Sequence, residues 1–314
     1  DRLLPNRLPQ KVGGIGLSHF LHESGRIELE TTVVKLAEDR FYLVCAAFFE
    51  TRLTDYLSQR LEGADVSIRV LSTDWVALAL QGPKSRDVLA ATTPAALDNA
   101  SFRWLSAQEI SIAGHSVWAM RLSYAGELGW EIHGPAETML AVYDALWAAG
   151  EAHGITDYGS FAMNAMRMEK MFKGAGELTN EVTLPEADVM RFVRLDKDFV
   201  GKAATEASAQ AQQAGDMPWT CAYLVIEPEG DEDGHGGEAV LLKGEVVGST
   251  SSLAFGPTVG KILAFAYIRP AAATPGQALE VVIQGKPRKA VVADRPLYDP
   301  DSLLLRTDAV GAAD

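Results

Sequence analysis

A chain of 314 residues, 47% hydrophobic and 22% charged, is long enough for two or three packed units and has the composition of a globular protein. Its formal charge of −14 speaks against a nucleic-acid partner, whose phosphates reward clustered Lys and Arg, and it gives no general pull on an anionic ligand. No apolar run approaches the roughly 20 residues that span a bilayer, and the start DRLLPNRLPQ lacks a signal peptide's apolar core. A cytoplasmic setting is expected, or the mitochondrial matrix in a eukaryote. Cys45 and Cys221 show neither CxxC nor zinc-like spacing and read as free thiols in a reducing compartment.

In chain order, IELETTVVKL (27–36) and RFYLVCAAF (40–48) predict a strand pair, being rich in β-branched and aromatic residues. Leu53, Tyr56, Leu57 and Leu61 recur at helical spacing and predict a helix over 51–62. DWVALALQGP predicts a strand ending in a Gly-Pro turn, and KSRDVLAAT a helix after it. SVWAMRLSYAG and LGWEIHG predict two strands broken at the GELG bend. Residues 135–150 predict a helix with Pro135 in its first turn, an apolar stripe of Met139, Val142, Tyr143, Leu146 and Trp147, and Gly150 at its end. Residues 160–172 predict another, whose methionines fill core. An Ala/Gln-rich connector then leads to Met217, where the texture changes. TCAYLVIE, EAVLLKGEVVGSTSSL, KILAFAYI, LEVVIQ and RKAVVADRPLY are short strand-like runs between Gly and Pro turns, the pattern of a small antiparallel barrel or sandwich. The acidic EGDEDGHGGE lacks the ligand spacing of a calcium loop and reads as a solvated hairpin tip.

Two pairs of acids stand out. Glu28 and Glu30 share one strand face, opposite Ile27 and Leu29, and Glu127 and Glu131 surround the GELG bend beside Tyr124 and Trp130. Spacing alone leaves each pair open between a solvent-facing strand and an acid-lined cleft. His19 and His22, three apart, could share a helix face, but they lack a third metal ligand. No GxGxxG opens a helix after a strand and no P-loop occurs, so the chain carries no motif for FAD or NAD.

Several longer stretches follow one another almost end to end: GGIGLSHFLHESGRIELETTVVKLAEDRFYLV, LALQGP, LSYAGELGWEIHGP, AMNAMRMEKMFKGAGELTNEVTLPEADVMRFVRLDKDFVGK, VGSTSSLAFGPTVGKILAFAYIRP and ADRPLYDP. In this order they resemble the aminomethyltransferase (glycine-cleavage T-protein) superfamily, and most of all the C-terminal folate-binding half of dimethylglycine and sarcosine dehydrogenases. AMNAMRMEK is nearer that branch than T-protein, which usually carries an arginine near Met163.

The resemblance implies an α+β fold, a three-subdomain cloverleaf around a tetrahydrofolate channel. Residues 1–216 would form the folate-binding region, as two intertwined α+β subdomains plus connector, and residues 217–314 a C-terminal antiparallel β-barrel. It implies that Tyr124 grips folate and that Glu131 binds the pterin, its carboxylate accepting two N–H bonds from the aminopyrimidine edge. Trp130 would join Tyr124 as an apolar wall, and Glu127 would hold the bend. The family's catalytic aspartate falls on Glu30, whose role would be to orient or take a proton as folate amines capture a one-carbon unit. Two departures bear on turnover more than on fold: Glu30 is one methylene longer than the usual aspartate, and Ala46 stands where T-proteins have an Asn-bearing segment.

The implied activity converts the iminium or formaldehyde product of N-demethylation to 5,10-methylenetetrahydrofolate. FAD would sit on a domain upstream of Asp1 or on a separate subunit, and the abrupt start inside family-like sequence points to the first. The other readings are a flavin-independent, folate-dependent aminomethyltransferase or demethylase, and a non-catalytic folate-binding or purely structural module. The implied partners are tetrahydrofolate, a small N-methylated amine product and a flavin domain or subunit, with no nucleic acid, membrane or metal.

Overall fold

A computed structural model describes residues 1–230 and 234–306. The apolar–polar alternation of IELETTVVKLA makes it a strand with one face buried: Ile27, Leu29, Thr31 and Val33 are buried while Glu28 and Glu30 stay half-exposed. With its neighbours it forms an antiparallel sheet of β1 (Ile15–Leu21), β2 (Ile27–Ala37) and β3 (Arg40–Val44). The third strand is shorter than its composition predicts. The Thr31 hydroxyl donates to the Val44 carbonyl at 3.1 Å, and the Phe49 amide turns back to the Ala46 carbonyl at 2.8 Å. With those groups taken, the ladder stops at Thr32–Val44 and Ala47–Phe49 form a 3-10 turn into α1 (Glu50–Arg60). Leu53 and Leu57 of α1 close over Phe20, Leu29 and Val33.

The second lobe contains β4 (Trp75–Gln81), α2 (Ser85–Ala90), β5 (Ala107–Ile112), β6 (His115–Met120), β7 (Gly129–Pro135) and α3 (Ala136–Gly150). Its sheet runs β4-β7-β6-β5. One face packs Leu80, Val117, Ala119, Trp130 and Ile132 against Met139, Val142 and Leu146 of α3. The opposite face carries Gln81, Met120, Glu131 and His133, because neighbouring residues of a strand alternate sides. That face is turned to the first sheet, where Met120 and Ala107 pack on Val34. The strand predicted to run on to Gly126 ends at Met120: the Arg121 amide still reaches the Ser106 carbonyl at 2.8 Å, but the return bond to the Arg121 carbonyl comes from Leu105, one residue out of register, at 3.0 Å, and the fully buried guanidinium donates to the Phe102 carbonyl at 2.6 Å.

The third lobe begins with α4 (Ser160–Glu169), which stops short of Phe172 because Met171 turns into the left-handed region at φ 58°. The predicted connector is itself a helix, α5 (Lys202–Ala214). Its Ala, Gln and Glu residues favour that state, and Gly201 and Gly215 bracket it in left-handed conformations at φ 81° and 77°. After it come β8 (Thr220–Ile226), β9 (Ala239–Leu242), β10 (Glu245–Gly256), β11 (Lys261–Ile268), β12 (Ala278–Ile283) and β13 (Lys286–Ala293). They close into an antiparallel barrel in the order β10-β11-β8-β13-β12-β9, which leaves no sheet edge unpaired. The α+β cloverleaf with a C-terminal barrel is therefore the fold observed. In the acidic loop after β8, Asp231–Asp233 lie outside the described residues.

The histidines do not share a helix. His19 lies in β1 at 0% exposure, and His22 follows the strand into solvent. Among the described residues no three His, Cys, Asp or Glu side chains gather in a way that could hold a metal.

Candidate functional site

Glu131 is set on β7 between Met120 of β6 and Ala79 of β4, on the sheet face that looks toward the first lobe. Its side chain is 25% exposed, and its Oε2 lies 3.2 Å from His133 Nε2. His133 Nδ1 in turn lies 3.1 Å from the Tyr42 hydroxyl on β3. The direction of this chain follows from the carboxylate. Glu131 can only accept, so His133 Nε2–H donates to it, and in the neutral imidazole Nδ1 then accepts from the Tyr42 hydroxyl. Burial, and then the charge of Glu131, push Tyr42 up to about 12.

Beside this chain, Gln81 Oε1 accepts from the Ala125 amide at 3.3 Å and from the Tyr158 hydroxyl at 3.4 Å. Two donors aimed at one atom fix the amide orientation. They leave Gln81 Nε2 buried with no hydrogen-bond partner. Gln81 is two residues along β4 from Ala79, the cross-strand partner of Glu131, so both side chains share one face. A carboxylate with free acceptor capacity and an unused amide donor therefore stand on the same wall. Sequence reasoning missed Tyr42, Gln81, His133 and Tyr158. Only Gln81 and His133 carried a signal, since parity along their strands puts them on the Glu131 face.

Glu30 faces the same interface from β2. It precedes Val34 by four residues, which places it roughly 13 Å along the strand from the contact with Met120. It lines a small cavity of ≈ 50 Å³ with Ala46, Phe49, Ala175 and Leu178. Ala46 thus occupies the wall where an amide side chain was expected from the resemblance. Tyr124 lies toward this acid: burial pushes its phenol up to about 12, the charges of Glu30 and Glu177 add to the rise, and Arg167 opposes it. Its ring stacks on Phe172 at 6.4 Å and its hydroxyl donates to the Lys173 carbonyl at 3.2 Å. The aromatic neighbours of Glu131 are Tyr42 and Tyr158, whose phenols both feel its charge.

Trp130 leaves the site. Adjacent to Glu131 on the same strand, it points to the other side of the sheet, where it is 0% exposed and edge-on to Phe102 at 6.0 Å. A ring buried in that core cannot also wall a ligand held by Glu131. Glu28 likewise separates from Glu30, since it is engaged by Arg52 Nε of α1 at 2.7 Å. Glu127 does more than hold the bend. Its carboxylate accepts from the Tyr298 hydroxyl, and neighbouring Lys170 reaches Asp299 at 2.9 Å, which ties the bend to the segment after the barrel. Gly126, at φ 84°, is required there because any side chain would run into the Lys170 stem.

Residues 1–197 match the family model of the GCVT N-terminal domain, and residues 220–299 that of the glycine cleavage T-protein C-terminal barrel domain. The chain belongs to the glycine-cleavage T-protein family. Among its T-protein-family relatives, human mitochondrial dimethylglycine dehydrogenase is 34% identical over 100% of this chain and 36% of its own length. The aminomethyltransferase of Streptomyces coelicolor is 33% identical, over 92% of this chain and 77% of its own. The crystal structure of aminomethyltransferase T from the Bartonella henselae glycine cleavage system superposes with a TM-score of 0.82 at 25% identity, covering 95% of this chain and 80% of that one. These relatives are enzymes. The chain spans only about a third of the dimethylglycine dehydrogenases it matches, 36% of the human protein and 34% of the mouse one. The N-terminal T-protein match takes in both sheets, and with them Glu30, Tyr124 and Glu131. No helix among the described residues is long and apolar enough to cross a membrane.

Proposed function

We propose that this chain is the tetrahydrofolate-dependent one-carbon transfer part of a dimethylglycine or sarcosine dehydrogenase-like enzyme, turning the iminium or formaldehyde released by N-demethylation into 5,10-methylenetetrahydrofolate. The observation that carries the reading is the wall on which Glu131 offers a part-shielded carboxylate and Gln81 Nε2 an unused buried N–H. An aminopyrimidinone edge presents the complement, N–H donors beside a carbonyl. The residues present therefore fit the pterin.

Tetrahydrofolate supplies two amine nitrogens that bind one carbon at the oxidation level of formaldehyde, with the carbonyl oxygen and both N–H protons leaving as water. In this reading Glu131 holds the ring edge, and His133 and Tyr42 fix the carboxylate that does so. Tyr124 contributes an aromatic surface toward Glu30. Glu30 carries the proton, accepting it at a carboxylate oxygen and returning it to the departing water. Phe49 and Leu178, which line the cavity beside it, would limit the access of bulk water to that exchange. The ligand site would lie in residues 1–216, with the barrel of 217–314 completing the cloverleaf. The oxidation needs FAD, for which this chain has no motif, so a flavin domain or subunit would deliver the small amine product. The coverage of the Streptomyces aminomethyltransferase, 77% of its length, supports the second reading, a flavin-independent aminomethyl transfer.

Calorimetric titration of the chain with tetrahydrofolate tests the binding, and added formaldehyde tests the chemistry against the uncatalysed reaction. Binding with accelerated methylene-folate formation supports the enzyme, and binding without acceleration leaves a carrier. No binding removes the proposal. Turnover with an aminomethyl donor and no flavin partner would favour the second reading.

A further inference from the structure

His19 stands directly across the β1–β2 pair from Glu30. Its side chain is 0% exposed, and neither ring nitrogen has a hydrogen-bond partner. Its Nε2 lies 3.6 Å from Glu30 Oε1, and its ring meets Phe192 at 5.9 Å. A histidine kept for packing alone would be expected to satisfy at least one nitrogen, because a buried polar atom left unpaired carries its full desolvation cost. Here a phenylalanine or leucine would fill the space without that cost. What an imidazole adds is a ring nitrogen 3.6 Å from one carboxylate oxygen, just beyond bonding distance. Catalytic hydrogen bonds are often long before the ligand is bound.

The rest of the surroundings leaves the pairing specific. Glu28, on the same strand face, is taken by Arg52, and Glu177 is taken by Arg167 at 2.8 Å. Phe192 offers the other side of the imidazole no charge.

We propose that His19 is the positioning residue of Glu30: its Nε2–H holds Oε1 against β1 and presents Oε2 to the cavity. This rests on the folate reading above. The longer glutamate then gains a purpose, since it reaches across to the neighbouring strand while it still lines the cavity with Ala46 and Leu178. In the transfer, Oε2 accepts the amine proton as the new N–C bond forms and gives it up to the oxygen lost as water. His19 neither gains nor loses a proton over the cycle.

The test compares His19→Leu, which removes the donor, with His19→Gln, which restores an N–H near the Nε2 position. With tetrahydrofolate and formaldehyde, His19→Leu should lower kcat about 10- to 100-fold while the Kd for tetrahydrofolate stays within twofold. His19→Gln should recover a large part of the loss. In the double variant with Glu30→Gln, the leucine should add nothing further. Independently of turnover, the His19 Nε2 resonance in nitrogen-15 spectra should move when Glu30→Gln is made in otherwise native protein. Wild-type kcat in His19→Leu, equal loss in both variants, or an unmoved Nε2 resonance would overturn the proposal. If His19→Leu fails to fold, the glutamine variant and the spectra decide. Failure of the wild type to bind tetrahydrofolate would instead remove the folate reading, and the spectra would still judge the His19–Glu30 pair.

Discussion

At the seam with the barrel, the Glu177 carboxylate receives Arg167 Nη1 and the Gly174 amide, each at 2.8 Å, together with the Ser251 and Ser252 hydroxyls. On the face of the second sheet, the Glu131 carboxylate receives His133 and keeps a quarter of its surface open. Both acids are drawn out of bulk water, yet one has its oxygens saturated by the fold and the other has acceptor capacity left over. An acid of the first kind joins lobes, here α4 to β10 through one carboxylate. An acid of the second kind is held by the fold for something that is not part of the chain. The hydroxyl–imidazole chain behind Glu131 sharpens the contrast, because it orients the carboxylate without filling it.

The largest effect should come from the saturated acid. Arg167→Met leaves Glu177 charged and buried, and it should cost about 3–5 kcal/mol in urea unfolding. A loss below about 1 kcal/mol would mean that the serines and the Gly174 amide hold the carboxylate by themselves. Glu131→Ala should do the reverse. We expect little change in unfolding and a loss of about 1.5–3 kcal/mol in tetrahydrofolate binding, roughly 10- to 150-fold in Kd by titration. Equal loss of stability in both variants would erase the distinction. Tyr42→Phe removes the donor to His133 Nδ1 and frees the ring to change tautomer. Folate affinity should fall by about 0.5–1.5 kcal/mol, provided His133 acts through Glu131.

The smallest effect concerns pH. Burial holds the Glu127 carboxyl above its ordinary range, against the hydrogen bond from Tyr298. A raised carboxyl binds its proton more tightly folded than unfolded. Its contribution is therefore complete below the unfolded value and is lost as pH rises through the folded one. As pH rises above the ordinary glutamate range, Glu127→Gln should flatten the fall of the denaturation midpoint that this group causes. An identical pH slope in the two proteins would show that the shift is absent.

Much of the architecture was legible beforehand. The alternation in IELETTVVKL, the short apolar run TCAYLVIE and the stripe of Met139, Val142 and Leu146 specify their elements locally, and the structure follows them. Misses came where a distant group intervened. Arg121 turns away to the Phe102 carbonyl and ends β6, and Thr31 takes the carbonyl of Val44 and ends β3. The assignment of Trp130 to the ligand wall failed for a reason the sequence did contain, since adjacent strand residues cannot share a face with Glu131. His19 read as one of two spaced histidines. Its meaning needed the register that sets it opposite Glu30.

By itself, then, the sequence determined many of the strands and helices (though not β1, β5 or α5), the apolar side of β2, the closing run of short strands, and the two acids worth following. These are properties of neighbours a few residues apart, where propensity and periodicity act. Only the tertiary structure decided that the Glu131 face meets the first sheet, that Tyr42 reaches His133 across 91 positions of sequence, and that Glu177 is saturated while Gln81 Nε2 is not. Period selects the face a residue shows. What stands opposite that face depends on how the lobes pack, and that is a contest among long-range contacts that no local window contains.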